Sequence, residues 1–343
     1  MSPGRNSTAV SHVMAGWIWL CWVAGVLGVA VPTAVAQQGT PVRAKSVEAS
    51  GLRHAQMRGV TSSRTFDHVN SSDARAALKV CFDVIAQQKG FSPDSTAVDI
   101  VDSVTQVRER LKSHSVEMVT LSITEYLELE SSELMVPVLT DVRSGQSGAL
   151  YSYVLLVNPA SGVSTLAGLR GKTLLVSSRG GSNAGGMWMD VLLGKEKLGC
   201  AASYFASVGV PDKAQACILS LYFGTVDACA VDEVSLNLAK EMNPQLGRLR
   251  VLARSRPMIE GVISTPVEPH PYQKEMIDAM LSLQEDPRGR QVLMVFKSDR
   301  IVRIQPGDLD SARELWRDYY RLPGSPNRQA APAPAVERRK ERY

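Results

Sequence analysis

The feature that most constrains this chain is a unit that recurs three times. An apolar strand runs into a loop of hydroxyl side chains, and the loop opens a helix. The three copies are Gln56–Thr61 with Ser62–Phe66, Val116–Leu121 with Ser122–Thr124, and Thr173–Val176 with Ser177–Asn183. Strands alternating with helices over such short links point to parallel strands covered by helices. Val116-Glu-Met-Val-Thr-Leu121 is almost continuously apolar, as a strand buried on both faces should be.

The elements between the loops follow from periodicity and caps. Asn70-Ser-Ser-Asp73 has N-cap chemistry, and Ala74, Ala77, Leu78, Cys81, Phe82 and Ile85 then fall on one helical face until Gly90. The pattern predicts a strand over 97–101, a helix over 103–113, and strands over 136–139 and 149–157, the last crossing into a second lobe. Beyond the third loop it predicts a strand over 203–208, a helix from Pro211 to Phe223, a strand ending at Val231 and a helix over 232–242. Residues 250–253 then cross back. The expected division is a first lobe of 56–157 plus 251–322 and a second lobe of 158–250.

The chain ends read differently. Trp17–Val31 is an apolar run of export-signal length, and Ala34-Val-Ala36 is a small-x-small cleavage site, so residues 1–36 are expected to be a signal peptide. Residues 37–55 read as a leader and 323–343 as a disordered Pro/Ala/basic tail. Removing residues 1–36 takes away one arginine and leaves a net charge of +3, all of it in the tail. A near-neutral folded part lacks the basic face of a nucleic-acid binder. Export places Cys81, Cys200, Cys217 and Cys229 in an oxidising compartment. Cys217 can bridge either Cys200 or Cys229, while Cys81 reads as a small core residue. No Cys/His cluster suggests a metal, and no cofactor motif occurs.

The loops carry the candidate chemistry. In open α/β sheets ligands bind beyond the carboxyl ends of strands, where all three loops fall. Helix N-termini and hydroxyls favour an anion. The candidate ligand contacts are Ser62, Ser63 and Thr65 from the first loop, Ser122 and Thr124 from the second, and Ser177, Ser178, Ser182 and Asn183 from the third. Asp232, after the strand ending at Val231, either meets a cationic group on the ligand or caps the following helix. Tyr151 and Tyr153 either wall the cleft or pack the hinge. A serine hydrolase is the enzymatic alternative: Gly180-Gly-Ser-Asn-Ala184 is near the G-x-S-x-G elbow, with Ser182 as nucleophile and Asp227 or Asp232 and His270 following in order.

Four strings carry a family resemblance: Val69-Asn-Ser-Ser-Asp-Ala-Arg-Ala-Ala77, Glu117-Met-Val-Thr-Leu-Ser-Ile-Thr-Glu-Tyr126, Leu166-Ala-Gly-Leu-Arg-Gly-Lys172 and Phe223-Gly-Thr-Val-Asp-Ala-Cys-Ala-Val231. Together they resemble the phosphate/phosphite/phosphonate branch of ABC-transporter substrate-binding proteins, within the type II periplasmic binding proteins. The resemblance implies an α/β, two-lobed fold, each lobe a mostly parallel sheet flanked by helices. It implies a non-enzymatic periplasmic monomer that holds a small anionic ligand between its lobes. The partner is an ABC permease or, in a sensory variant, a membrane kinase. The Ser-Thr-Ser-Gly loop of phosphonate-binding members corresponds here to Ser177-Ser-Arg-Gly-Gly-Ser-Asn183, which keeps hydroxyls at Ser177, Ser178 and Ser182 but not the compact string.

Overall fold

The computed structural model describes residues 53–66, 69–177 and 182–323. The described residues form one compact unit. The chain begins with β1 (Arg53–Ser62), α1 (Ser71–Lys89), β2 (Phe91–Val101), α2 (Val104–Lys112), β3 (Met118–Ser122), α3 (Ile123–Glu130) and β4 (Met135–Arg143). It passes into a second sheet with β5 (Tyr153–Val157), β6 (Thr173–Val176), α4 (Ala184–Lys195), α5 (Ala201–Tyr204), β7 (Ser207–Gly209), α6 (Ala214–Tyr222), β8 (Ala228–Asp232), α7 (Glu233–Met242) and β9 (Arg250–Arg254). It returns through β10 (Gly261–Pro266), α8 (Gln273–Leu281), α9 (Pro287–Val295) and β11 (Ser298–Arg303), and closes with α10 (Asp310–Arg321).

The strand orders are β11-β4-β10-β3-β1-β2 and β7-β6-β8-β5-β9. We call each sheet with its helices a lobe. The α/β class expected from the sequence holds, but the sheets are mixed rather than mostly parallel. β1 is parallel to β2 and β3, whereas β10 is antiparallel to β3 and β4, and β11 to β4. In the second sheet β6 is parallel to β7 and β8, and β5 is antiparallel to β8 and β9. The reversed strands include β5 and β10, by which the chain enters each sheet from the other lobe, and also β11. A strand that arrives from the other lobe starts at the end of the sheet where a local βαβ unit would finish.

Local chemistry sets the element ends. Asn70 accepts the Asp73 N–H at 2.9 Å, and Gly90 terminates α1 with φ +67°, a conformation that costs glycine nothing. Strand β2 begins at Phe91 directly after that cap, six residues before the start expected from the sequence. The expected strand over 203–208 is a helical turn, α5, followed by the short β7, because Tyr204 turns inward and its hydroxyl donates to the Leu166 carbonyl at 2.7 Å. The expected crossing strand over 149–157 starts only at Tyr153 and pairs in the second sheet; Tyr151 makes an isolated bridge to Met258.

One apolar core runs through both sheets. It joins Val60, Leu121 and Ile123 to Tyr153, Leu155, Leu174 and Trp188, with Met258 and Trp316 between them. Every residue of β5 and β8 is buried. Cys217 on α6 is bridged to Cys229 on β8 with Cα atoms 5.8 Å apart, which selects one of the two pairings left open by the sequence. Cys200 is a free, half-exposed thiol. Cys81 is buried as expected, and burial pushes its thiol up to about 12.

The first lobe holds an apolar space. Between its sheet and α1, α8 and α9 lies a cavity of about 110 Å3, lined among others by Leu78, Cys81, Met280, Val292 and Phe296. Unfilled apolar space costs stability in proportion to its volume. Val292→Leu adds one methylene to this wall and is expected to stabilise the protein by about 0.5–1.5 kcal/mol. A urea midpoint at or below wild type would show that the space is not open to that side chain.

Candidate functional site

The first hydroxyl loop follows β1 as a tight turn over Ser63–Thr65. Ser62 is 1% exposed; its hydroxyl accepts the Arg64 N–H at 3.2 Å and donates to Glu125 Oε1 at 2.6 Å. Ser63 donates to Asp102, and Thr65 donates to the Ser62 carbonyl at 2.7 Å. All three hydroxyls of this loop therefore have partners within the chain.

The second loop is a capping box. Ser122 accepts the Glu125 N–H at 3.4 Å, and Glu125 Oε2 accepts from the Ser122 N–H at 3.1 Å and its hydroxyl at 2.7 Å. Thr124 Oγ1 sits 3.3 Å from Ser122 Oγ. Glu125 is 2% exposed and is the node that ties this loop to the first, with Arg64 Nε 3.9 Å from Oε1. It is absent from the residues expected from the sequence, although Ser122-Ile-Thr-Glu125 is the S-x-x-E signature that would have found it.

The third loop is described at its two ends. Ser177 is buried, and its N–H donates to the Ala230 carbonyl at 2.8 Å, extending the β6–β8 pairing. Ser178, with Arg179, lies outside the described residues. Ser182 is 3% exposed and its hydroxyl accepts the Ala184 N–H at 3.3 Å. Asn183 holds the N-cap position of α4 with no side-chain capping bond. It folds over the first turn, where a Cβ on Gly186 would lie 2.5 Å from Asn183 Oδ1.

The helices opened by the second and third loops come together. The first turns of α3 (Ile123, Thr124) and α4 (Ala184, Met187) line one small space of about 10 Å3, closed by Met258 and by Leu315 and Trp316 of α10. Two helix N-termini, one from each lobe, thus face the same place. Aligned peptide dipoles and first-turn N–H groups make both ends electropositive. The first loop is tied to the second through the Ser62–Glu125 bond.

Asp232 is placed elsewhere. It caps α7, accepting the Ser235 N–H at 2.8 Å and the Ser235 hydroxyl at 2.7 Å, and it pairs with Arg143 at 2.8 Å. Arg143 ends β4 in one sheet and Asp232 ends β8 in the other, so the pair spans the hinge. The tyrosines also pack the hinge. Tyr151 accepts the Arg143 N–H at 2.8 Å, and Tyr153, 1% exposed, donates to Glu260 Oε1 at 2.5 Å and stacks on Trp188. Burial beside the Glu260 carboxylate holds the Tyr153 hydroxyl well above its usual range. Arg143 and Glu260 escaped the sequence reading because their partners lie roughly a hundred residues away in the chain.

The hydrolase geometry does not form. Asp227 accepts from the Thr173 N–H and hydroxyl at 2.8 Å, Asp232 is paired with Arg143, and His270 lies among Pro269, Gln273 and Lys274 of the first lobe. Among the described residues no group of three or more His, Cys, Asp or Glu side chains is placed to hold a metal.

A family model described as ABC transporter, phosphonate, periplasmic substrate-binding protein matches residues 67–309, more than two thirds of the chain. Among solved structures, a Xanthomonas citri protein bound to ATP is similar at 17% identity and TM-score 0.59, over 77% of this chain and 97% of that one. PhnD1 of Prochlorococcus marinus in complex with methylphosphonate is similar at 13% identity and TM-score 0.53, over 76% and 97%. A binding component of a Pseudomonas aeruginosa ABC phosphonate transporter is similar at 11% identity and TM-score 0.52, over 78% and 89%. No curated protein matches the sequence. These structural likenesses share the fold; the family match spans both lobes and both helix N-termini at the cleft. The chain belongs to the family of periplasmic substrate-binding proteins of phosphonate ABC transporters, and is a binding component rather than an enzyme.

Proposed function

We propose that this chain, exported and cleaved after Ala36, is a monomeric receptor that captures a small phosphorus oxyanion and delivers it to an ABC permease. The observation that carries the reading is the meeting of the α3 and α4 N-termini in one buried space between the lobes. Neutral N–H and O–H donors hold an anion without a surplus of cationic side chains. Ser182 is the hydroxyl we assign to the ligand, because it accepts from Ala184 and donates to none of the described residues. Ser122 spends its proton on Glu125, so its loop contributes first-turn N–H groups and Thr124. Among the structural relatives, methylphosphonate and ATP share a phosphorus oxyanion, and that is the ligand class expected here.

The test is a thermal-shift screen of residues 37–343 against phosphate, phosphite, methylphosphonate, aminoethylphosphonate, sulfate, carboxylates and amino acids. A ligand that binds only the folded state raises the midpoint, by the equivalent of about 2.7 kcal/mol at one hundred times its Kd. A phosphorus oxyanion is expected to give the largest shift. Ser182→Ala is expected to weaken its binding by about 1.5–3 kcal/mol, the loss of one hydrogen bond to a charged group. A shift with amino acids alone, or wild-type affinity in Ser182→Ala, would overturn the assignment.

A further inference from the structure

One buried polar atom at this site has no partner. Trp316 is 5% exposed, and its indole Nε1 is buried without a hydrogen-bond partner among the described residues. The indole N–H is a donor only, and a buried one ordinarily finds an acceptor. Trp316 lines the same small space as Thr124 and Ala184, in the first turns of α3 and α4. That space, about 10 Å3, has room for roughly one water-sized atom.

The position of Trp316 is fixed from both lobes. On the same helix, Arg313 pairs with Glu130 of α3 at 2.5 Å, and Asp318 pairs with Lys195 of α4 at 2.9 Å. Just past the helix, Leu322 packs against α4 so closely that a Cβ on Gly194 would lie 2.3 Å from it. Tyr320 meets the indole edge-on at 4.6 Å. These contacts leave the ring little freedom to turn its N–H toward solvent.

We propose that Trp316 is a ligand-binding residue whose indole N–H donates to one oxygen of the anion held by the N-termini of α3 and α4. The last helix is then a third wall of the site. This rests on the oxyanion reading above and adds a selectivity rule to it. A donor that cannot accept admits an acceptor oxygen at that point and rejects an ammonium, which can only donate. Among the described residues that line this space, Thr124 is the only polar side chain besides Trp316.

After residue 36 the chain has two tryptophans, Trp188 and Trp316, so each can be followed separately. The experiment titrates residues 37–343 with methylphosphonate and inorganic phosphate, as wild type and as Trp316→Phe, which keeps an aromatic ring and removes the N–H. Kd for the anion is expected to rise about tenfold or more in Trp316→Phe. Independently, in wild-type protein labelled with 15N-tryptophan, one indole proton resonance, absent from Trp316→Phe spectra, is expected to move downfield on saturation. Should Trp316→Phe fail to fold, the same resonance is assigned by its retention in Trp188→Phe. Wild-type protein that binds the anion with an unmoved Trp316 resonance, or Trp316→Phe with wild-type Kd, overturns the proposal and leaves the oxyanion reading intact. Wild-type protein that binds neither anion overturns both.

Discussion

Arg143→Ala is expected to destabilise the protein by about 3–5 kcal/mol, the usual cost of stranding one member of a buried ion pair. The Arg143 and Asp232 side chains are 12% and 8% exposed and lie 2.8 Å apart, so water cannot take the place of the lost partner. The two bonds from Ser235 to Asp232 survive the substitution, which places the expected loss toward the lower end of that range. For a chain of this size each kcal/mol moves Tm by about 2–4 °C, so a fall of roughly 6–12 °C is expected. Asp232→Asn preserves N-cap chemistry while removing the charge. In the Arg143→Ala background it is expected to recover part of the loss, because it removes the stranded carboxylate. Urea denaturation of the two single variants and the double variant reads this coupling directly. Independent, additive losses would show that the residues do not act as a pair.

The same pair shows where sequence reading stops. Hydroxyl loops, caps and apolar periodicity are local, and they located β1, α1, β3, α3, β6, α4, β8 and α7 in order. The helices opened by two of the three loops that they marked, α3 and α4, do border one small space. The mixed character of the sheets was not legible, because the directions of β5, β10 and β11 are set by pairing with strands distant in the chain. Asp232 reads as a helix cap from its place after β8, and it is one. Its arginine is 89 positions earlier, on a strand of the other sheet, and nothing local to either residue announces the bond.

Glu125 is the opposite case. Its capping-box spacing was legible, yet its consequence was not. Ser62 was expected to offer its proton to a ligand, but that proton is held by a carboxylate 63 residues away. A hydroxyl loop at the end of a strand is thus compatible with an anion site and with a satisfied internal network, and only the partner distinguishes them. Trp316 lies in the returning segment, 251–322, that the sequence assigns to the first lobe. It enters the site because α10 packs on α3 and α4 together, a placement that its amphipathic pattern does not encode.

Reduction of the Cys217–Cys229 bridge is expected to cost about 3 kcal/mol, the chain-entropy value for closing a loop of this length. The bridge joins α6 to β8, and β8 is the strand that ends at Asp232, so it holds the second lobe's side of the hinge pair. Both sulfurs are fully buried in that lobe, within a cluster that includes Ile218, Leu221 and Leu246. The oxidised and reduced forms therefore keep the same packing atoms and differ chiefly in the unfolded chain. Urea midpoints of residues 37–343 with and without reductant measure the difference. Thiol counting after denaturation checks the assignment, since the oxidised protein should expose only Cys81 and Cys200, and the reduced protein all four. Four free thiols in protein recovered from an oxidising compartment would remove the bridge. A bridge present but worth nothing would mean that the unfolded chain already keeps α6 near β8, since loop closure then costs it no freedom.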